Sequence, residues 1–430
     1  MRRLEASVER FGALATARPA LVRRMFQRKL KVGYFALTWL NIYATAYYGN
    51  YIFFLLRKEY GFGNQDNLLY AAIGGFLYVF GSWYGGNFGQ RRGYYLALKI
   101  GFSLMAISLA VGMFVHTAIG QLIVFLGWNL GMCFTWPTLE ALASEGEDRK
   151  GLTKMVGIYN VVWASGAAVT YFTGGALLEG FGPQSLFWFP AAVHVAQFAL
   201  LLFLQRQAKR LPFAQVNVTS QGGALDPHDA AIPVARRKTF LRLAWIANPF
   251  AYIAMNTVLP LIPDVAARLR LSTTFAGFVC SVWMFARLFS FAILWRWSGW
   301  HYRFSWLAGS YVAMIGSFGV LLLVENLAVV VLSQLVFGVA VGVIYYSSLF
   351  YSMDVGETKG EHGGFHEALI GVGLCGGPAI GAVSLHVFPS NPDAGTIGVA
   401  TILVLGLCAV LVVGAALRAG KGNLAQKSLR

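Results

Sequence analysis

The residue with the clearest chemical potential is an arginine in the middle of an apolar run. Arg287 lies in SVWMFARLFSFAIL, and helical periodicity places it on one face with Trp283 and Ser290. A cation inside a hydrophobic segment is costly unless it is paired or hydrated. Two interpretations are therefore open. Arg287 either binds an anionic group of a solute or forms a buried pair with a carboxylate, for which Glu140 and Glu367 are the candidates.

Polar side chains follow one face of the first long apolar run. In GYFALTWLNIYATAYYGNYIFFLL, steps of four, three, four and three residues align Tyr34, Thr38, Asn41, Thr45 and Tyr48. An asparagine is not tolerated well against lipid, so this stripe is expected to face protein or water. Such a stripe either lines a solute path or supplies hydrogen bonds between helices.

Aromatic rings, amides and hydroxyls recur in several other apolar runs, and a second stripe lies in the second half of the chain. These groups can bind a neutral polar or amphipathic solute by stacking and hydrogen bonding, although ordinary helix packing also uses them. The predicted substrate path consists of Thr38, Asn41, Thr45, Tyr48, Trp128, Asn248, Tyr252, Asn256, Trp283, Arg287 and Tyr345.

Three titratable residues lie near the ends of apolar runs, namely Glu140, His366 and Glu367. Proton coupling needs a carboxylate or histidine that changes its protonation between states, and these three are the candidates for it or for charge pairing. The neighbouring segment MDVGETKGEHGGFHE is rich in carboxylates and histidines, but their spacing matches no standard metal site. We therefore expect a solvated loop there and no metal or cofactor.

The elements that must position these residues follow from composition. The 430 residues are 57% hydrophobic and only 12% charged, about half the charged fraction of a soluble domain. Apolar runs of about 20 residues match the length of a helix that crosses a bilayer. The sequence predicts an all-α integral membrane protein with twelve transmembrane helices, near 33–56, 68–88, 94–115, 119–139, 155–178, 184–204, 243–263, 275–295, 304–324, 327–350, 364–388 and 395–417.

The twelve runs divide into two sets of six. The predicted units are a basic tail (1–32), a six-helix bundle (33–204), a polar linker (205–242), a second bundle (243–417) and a tail (418–430). Gly166 and Gly373 occupy equivalent places in the fifth span of each half, as do Gly174 and Gly381, at the same offset. This repetition favours a duplicated, pseudo-symmetric unit.

The net charge of +16 is distributed along the membrane topology. Most of the Lys and Arg residues lie in the tails, the linker and the connections expected on one side, which is the positive-inside signature. Both termini and the linker are therefore predicted to be cytoplasmic, with the basic residues facing anionic lipid. This distribution accounts for the charge, so no nucleic-acid partner is expected. The predicted location is the bacterial inner membrane.

The turn after the second run, GGNFGQRRGYY, resembles the signature of the major facilitator superfamily. That signature runs G, two residues, a small residue, D, R, x, G and then basic residues; Gly86, Arg91 and Gly93 fit it, whereas Gln90 replaces the acid. The resemblance implies the fold of that superfamily, a cytoplasmic gating role for this motif, and a central path lined by the first, fourth, seventh and tenth spans. Because Gln90 is uncharged, the charged latch of the family is not expected here.

The predicted function is secondary active or facilitative transport of a small polar, amphipathic or anionic solute by alternating access. Coupling to a proton or another ion, as symport or antiport, stays open, and a monomer is the expected functional unit. Two alternatives are a non-transporting receptor or scaffold on the same fold and an integral-membrane enzyme. The sequence contains no HExxH, no metal-spaced Cys/His set and no Ser/His/Asp arrangement.

Overall fold

The computed structural model describes residues 2–427 apart from Gly146, Asp148, 210–231 and 356–358. Side-chain surroundings are described from Lys29 to Ala415, except at 149–150, 152–153, 353 and 359–368. The described residues contain no strand. The helices are α1 (Arg2–Tyr60), α2 (Asn64–Arg92), α3 (Tyr94–Gly112), α4 (Ala118–Ser144), α5 (Arg149–Phe181), α6 (Ser185–Lys209), α7 (Val234–Arg268), α8 (Thr273–Arg296), α9 (Phe304–Leu323), α10 (Leu327–Val355), α11 (Lys359–Val387) and α12 (Ala394–Lys427).

In the described part of the chain, eleven helices, α2 to α12, are long and apolar enough to cross a membrane. The first predicted span, 33–56, lies inside α1, which is continuous from Arg2. Its tyrosines, threonines and asparagines lower its mean hydropathy below that of the other spans. The protein is thus an all-helical, multi-pass integral membrane protein, and the predicted fold class is confirmed.

Helix ends differ from the predicted ones at two connections. Helices α6 and α7 extend into both ends of the predicted linker, because α6 ends at Lys209 and α7 begins at Val234. The segment predicted as a solvated loop after α10 is also mostly helical, since α10 continues to Val355 and α11 begins at Lys359. Apolar periodicity marks where a helix is buried, so it does not detect a helix that continues beyond its buried part.

Helix α8 has a break within its length. It consists of Thr273–Cys280 and Val282–Arg296, separated by Ser281. The Ser281 hydroxyl donates to the Phe278 carbonyl at 2.7 Å, a local bond that competes with the regular helix pattern. The break lies shortly before Arg287, so it helps to set the direction of the segment that carries this residue.

The two halves meet along two helix pairs, α2 with α11 and α5 with α8. Glycines permit the close approach: a Cβ on Gly75 of α2 would lie 2.5 Å from the backbone of Leu374 and Cys375 of α11. Gly175 of α5 approaches the Thr273 backbone of α8 in the same way. Small residues at such contacts are how membrane helices pack without a hydrophobic driving force between them.

Each half also contains one ion pair at an equivalent place. Lys31 pairs with Glu147 in the first half, and Arg237 Nη1 lies 3.6 Å from Asp354 Oδ2 in the second. The two cations are 206 positions apart and the two carboxylates 207, close to the offset of the paired glycines. Each pair joins a residue near the start of the half's first predicted span to one at or just after the end of its fourth helix, which supports the duplicated unit.

Candidate functional site

A cavity of about 270 Å³ lies between the two halves of the protein. Residues of α1, α2, α4 and α5 line it from the first half, and residues of α7, α8, α10 and α11 line it from the second. Its wall is predominantly aromatic and aliphatic, with a few amides and two charged residues, Glu140 and Arg287. A concave, mostly apolar space with few polar groups is typical of a small-molecule site.

The structure brings seven of the eleven predicted path residues to the cavity wall. On α4, α5 and α7 the wall residues recur at steps of three and four, so one face of each helix is turned inward. The seven are Thr45, Trp128, Tyr252, Asn256, Trp283, Arg287 and Tyr345.

The four other predicted path residues lie in the helix packing behind the wall. Thr38 donates to the Tyr34 carbonyl at 3.0 Å, and the Tyr48 ring packs edge-on against Trp128 at 4.8 Å. Asn41 and Asn248 are fully buried, and within the described part of the chain neither amide has a hydrogen-bond partner. They lie 207 positions apart, the offset of the repeat.

Arg287 is buried, with 2% of its surface exposed, and its guanidinium is surrounded by aromatic rings. The carbon Cζ lies 4.6 Å from the ring centre of Trp163, 5.0 Å from that of Tyr345 and 5.2 Å from that of Phe291. Cations placed over aromatic faces at these distances are attracted by the ring quadrupole. These rings compensate part of the cost of removing the charge from water.

The hydrogen-bonding groups of Arg287 are only partly satisfied. Nη1 contacts the Met255 sulfur at 3.3 Å, whereas Nε and Nη2 have no hydrogen-bond partner among the described residues. The described carboxylates likewise form no ion pair with Arg287. Glu140, one of the two pairing candidates, lines the same cavity.

Sequence reasoning missed Trp163, which contributes the ring nearest to Arg287. Trp163 belongs to α5, and the family resemblance drew attention to the first, fourth, seventh and tenth spans instead. A signal was present: Tyr159, Trp163, Ala167 and Tyr171 recur at steps of four, and all four line the cavity. An aromatic stripe at that spacing on α5 could have indicated this wall.

The residues named for coupling are described unequally. Glu140 lies near the end of α4 and lines the cavity. The side chains of His366 and Glu367, in α11, lie outside the described residues. Of the carboxylates in the segment predicted to be a solvated loop, Asp354 pairs with Arg237 and accepts from the Tyr302 hydroxyl. The described residues contain no group of three potential metal ligands.

The predicted gating motif lies at the end of α2 and the start of α3. Gln90, Arg91 and Gly93 are exposed, while Gly86 packs near Pro137 of α4. Gly93 has a φ of 101°, a conformation that residues other than glycine rarely adopt. The glycine at this turn is therefore required by backbone geometry, independently of any role in gating.

At the opposite end of the molecule, polar bonds connect the two halves. Arg57 at the end of α1 lies 3.2 Å from Asp264 near the end of α7, which also accepts from Arg268 at 3.1 Å. Glu179 of α5 accepts from the Thr274 backbone at 2.9 Å, where α8 begins. We call the side of the molecule with these bonds the latch face. The sequence did not predict a role in gating for these residues.

Comparison with known proteins identifies the family to which this fold belongs. The family model described as Major Facilitator Superfamily matches residues 37–382. A search of curated protein sequences finds no match. Solved structures with the same fold include the nucleoside transporter NupG, with 14% identity, 89% of this chain and 98% of that chain covered, and a TM-score of 0.64.

Two further structures show the same likeness. A bacterial homologue of the human lysosomal transporter Spinster, in an inward-facing and unoccupied conformation, has 12% identity, coverage of 91% and 96%, and a TM-score of 0.62. The human organic anion transporter MFSD10 has 14% identity, coverage of 89% and 99%, and a TM-score of 0.63. At these identities the likeness establishes the fold alone, whereas the family match spans most of the chain. The predicted resemblance is confirmed: the chain belongs to the major facilitator superfamily and is a membrane transporter, not an enzyme.

Proposed function

We propose that the protein transports a small organic anion by alternating access, with Arg287 as the docking group for the negative charge. One observation carries this proposal: a buried guanidinium on the cavity wall has two nitrogens without a hydrogen-bond partner and no ion pair among the described residues. Arginine side chains keep their charge in proteins. An anion in the cavity would supply the missing counter-charge.

The energetics favour a solute anion over a purely structural role. The effective cost of burying an ion is several kcal/mol, and cation–π contacts return about 2 kcal/mol when they are desolvated. A structural arginine is ordinarily paired with a carboxylate, which would recover more of this cost. Among the described residues Arg287 has no such pair, which lowers stability, and a binding function is a physical reason to retain it.

The arrangement of contacts between the halves fits one state of an alternating-access cycle. The latch face is joined by Arg57 with Asp264 and by Glu179 with Thr274. The cavity wall includes Glu140, near the end of α4, and Tyr159, in the first part of α5, whereas the latch-face bond of α5 lies near its other end at Glu179. Opening of the latch face with closure of the opposite side would present the same wall to the other compartment.

Coupling and topology complete the proposal. Glu140 is the candidate for a proton-coupling group, because it is a carboxylate on the wall that also carries Arg287. Basic residues in the tails and the linker favour a cytoplasmic location for both termini, in a bacterial inner membrane. The cavity lies within one chain, which supports function as a monomer.

The test is uptake by proteoliposomes containing the purified protein. A panel of labelled monocarboxylates, sulfonates, nucleosides and sugars is offered with and without an imposed pH gradient. We expect uptake of at least one anion, its loss in Arg287→Ala, and its retention in Arg296→Ala, which removes an exposed arginine of the same helix. Uptake of neutral solutes that survives in Arg287→Ala would remove Arg287 from the site. Binding without uptake of any solute would favour the receptor alternative.

A further inference from the structure

We propose that the site selects a monoanionic carboxylate with a flat aromatic body, and that Trp163 is a specificity-determining residue for it. This inference rests on the proposed transport function and narrows its substrate class. It combines the direction of the free donors on Arg287, the aromatic surface beside the guanidinium, and the charge of Glu140.

The free donors of Arg287 form one edge of the guanidinium. Nε–H and Nη2–H point in parallel on the same side, and together they match the two oxygens of a single carboxylate. The third nitrogen, Nη1, is already directed at the Met255 sulfur. The group that fits this edge is therefore a planar, bidentate acceptor that lies in the plane of the guanidinium.

The aromatic surface beside Arg287 favours a flat body behind that carboxylate. Trp163 and Tyr345 are almost parallel, with an interplanar angle of 15° and ring centres 6.3 Å apart. An aromatic carboxylate is coplanar with its own ring, so bidentate docking on a guanidinium stacked parallel to these faces would place the ring along them. Offset stacking then adds to the charged hydrogen bonds.

Trp163 is set apart by the half of the molecule to which it belongs. Arg287, Phe291 and Tyr345 lie on α8 and α10 of the second half, whereas Trp163 lies on α5 of the first. A solute held on Arg287 and stacked on Trp163 therefore contacts both halves. A saturated, puckered ring cannot stack on an aromatic face. The preference for an aromatic over a saturated carboxylate should therefore depend on Trp163.

The charge of the cavity wall limits the charge of the solute. Glu140 and Arg287 are the two charged residues among the described wall residues. When ionised, Glu140 disfavours a second negative group in the same space. A single carboxylate is consequently preferred to a dianionic phosphate, although both can accept from the guanidinium edge.

Binding to the purified full-length protein tests this selection through matched probes. The probes are 2-naphthoate and benzoate, their neutral amides, cyclohexanecarboxylate as the saturated control, and phenyl phosphate as the dianion, with affinities from ligand-induced thermal shifts. We expect each aromatic carboxylate to bind about 10- to 100-fold tighter than its amide. Benzoate should bind about two- to tenfold tighter than cyclohexanecarboxylate.

Two variants assign the preferences to residues. Arg287→Lys keeps the positive charge but loses the two parallel N–H donors of the guanidinium. The ratio of the affinity for a carboxylate to that for its amide should therefore fall about tenfold or more. Trp163→Leu should remove the preference for benzoate over cyclohexanecarboxylate while the advantage over benzamide persists. Trp297→Leu, at an exposed tryptophan, is the matched control and should retain both preferences.

The outcomes separate this inference from the proposed function. Carboxylates that bind no tighter than their amides, phenyl phosphate that binds tighter than benzoate, or an aromatic preference unchanged in Trp163→Leu would each overturn the inference. If another solute is nevertheless taken up by proteoliposomes, the transport proposal stands without it. If the carboxylates bind as expected but no solute is taken up, the selectivity of the site stands and the transport proposal fails.

Discussion

Replacing Arg287 with methionine should stabilise the protein while abolishing transport of an anionic solute. Methionine keeps much of the aliphatic length of arginine and its flexibility, so it can fill the space between the rings without a charge. The two interpretations of Arg287 predict opposite signs for this change. If Arg287 docks substrate, its charge lowers stability in the absence of solute, and replacing it with methionine stabilises the protein. If Arg287 belongs to a structural ion pair, the same replacement leaves a carboxylate without its cation and destabilises the protein.

The magnitude follows from the contacts of the guanidinium. Burial of the cation costs several kcal/mol after relaxation, the rings return about 2 kcal/mol, and two nitrogens have no described partner. The net gain on removing the charge is therefore about 1–3 kcal/mol. For a large domain this corresponds to a rise in melting temperature of about 2–4 °C per kcal/mol.

The assay is thermal unfolding of the purified protein in detergent, in a buffer without organic anions. Arg237→Met is the matched comparison, because Arg237 also lies in the second half but is paired with Asp354, whose side chain is 7% exposed. That variant leaves a buried carboxylate without its cation and should lose about 3 kcal/mol. If Arg287→Met is destabilised as much as Arg237→Met, Arg287 is a structural residue and the docking role is refuted.

Three other changes test the contacts between the halves and the turn after α2. Asp264→Asn should weaken the partly exposed pair with Arg57 by at most about 1 kcal/mol. A cysteine introduced in the cavity should then be labelled faster by a reagent added on the latch face. Unchanged labelling would show that this pair is not part of the gate. Gly75→Val should abolish uptake, because its side chain would meet the α11 backbone, while Gly309→Val, where a Cβ has no neighbour within 4 Å, retains uptake; equal uptake by both would contradict this close contact. Gly93→Ala should cost about 1–2 kcal/mol because of the positive φ at this turn, measured by thermal unfolding, and no loss would show that the turn relaxes.

Apolar run length and charge placement were sufficient to predict the fold. Twenty-residue apolar runs have few alternatives to membrane-spanning helices, since lipid offers no hydrogen bonds to an irregular backbone. Run length and charge placement did not predict that α1 is one continuous helix from Arg2 to Tyr60. Helix continuation through a polar segment depends on contacts and local propensity, which leave no apolar period in the sequence.

The candidate site was predictable only in part. Arg287 was identified because an unscreened charge in an apolar run has to be explained. Asn41 and Asn248 looked equivalent to Thr45 and Asn256 by periodicity, yet they lie behind the cavity wall. A polar stripe shows which face of a helix turns away from lipid, but both a cavity and a neighbouring helix satisfy that condition. The distinction depends on how far the neighbouring helices stand apart, which the sequence of one helix does not contain.

The helical framework repeats in the two halves of the protein, whereas the cavity wall does not. Paired glycines, the buried amides of Asn41 and Asn248, and the two ion pairs recur at offsets of 206 or 207 residues, so both halves keep the same internal framework. The cavity wall does not repeat: its described residues include one cation, on the second half, and the nearest aromatic ring to it lies on the first. A solute that binds this combination stabilises the halves in one relative position, since neither half offers the full set of contacts. Alternating access requires contacts between the halves to be formed and released as the halves move, and a charged, stacked solute on Trp163 and Arg287 would add to the direct contact that these two side chains already make.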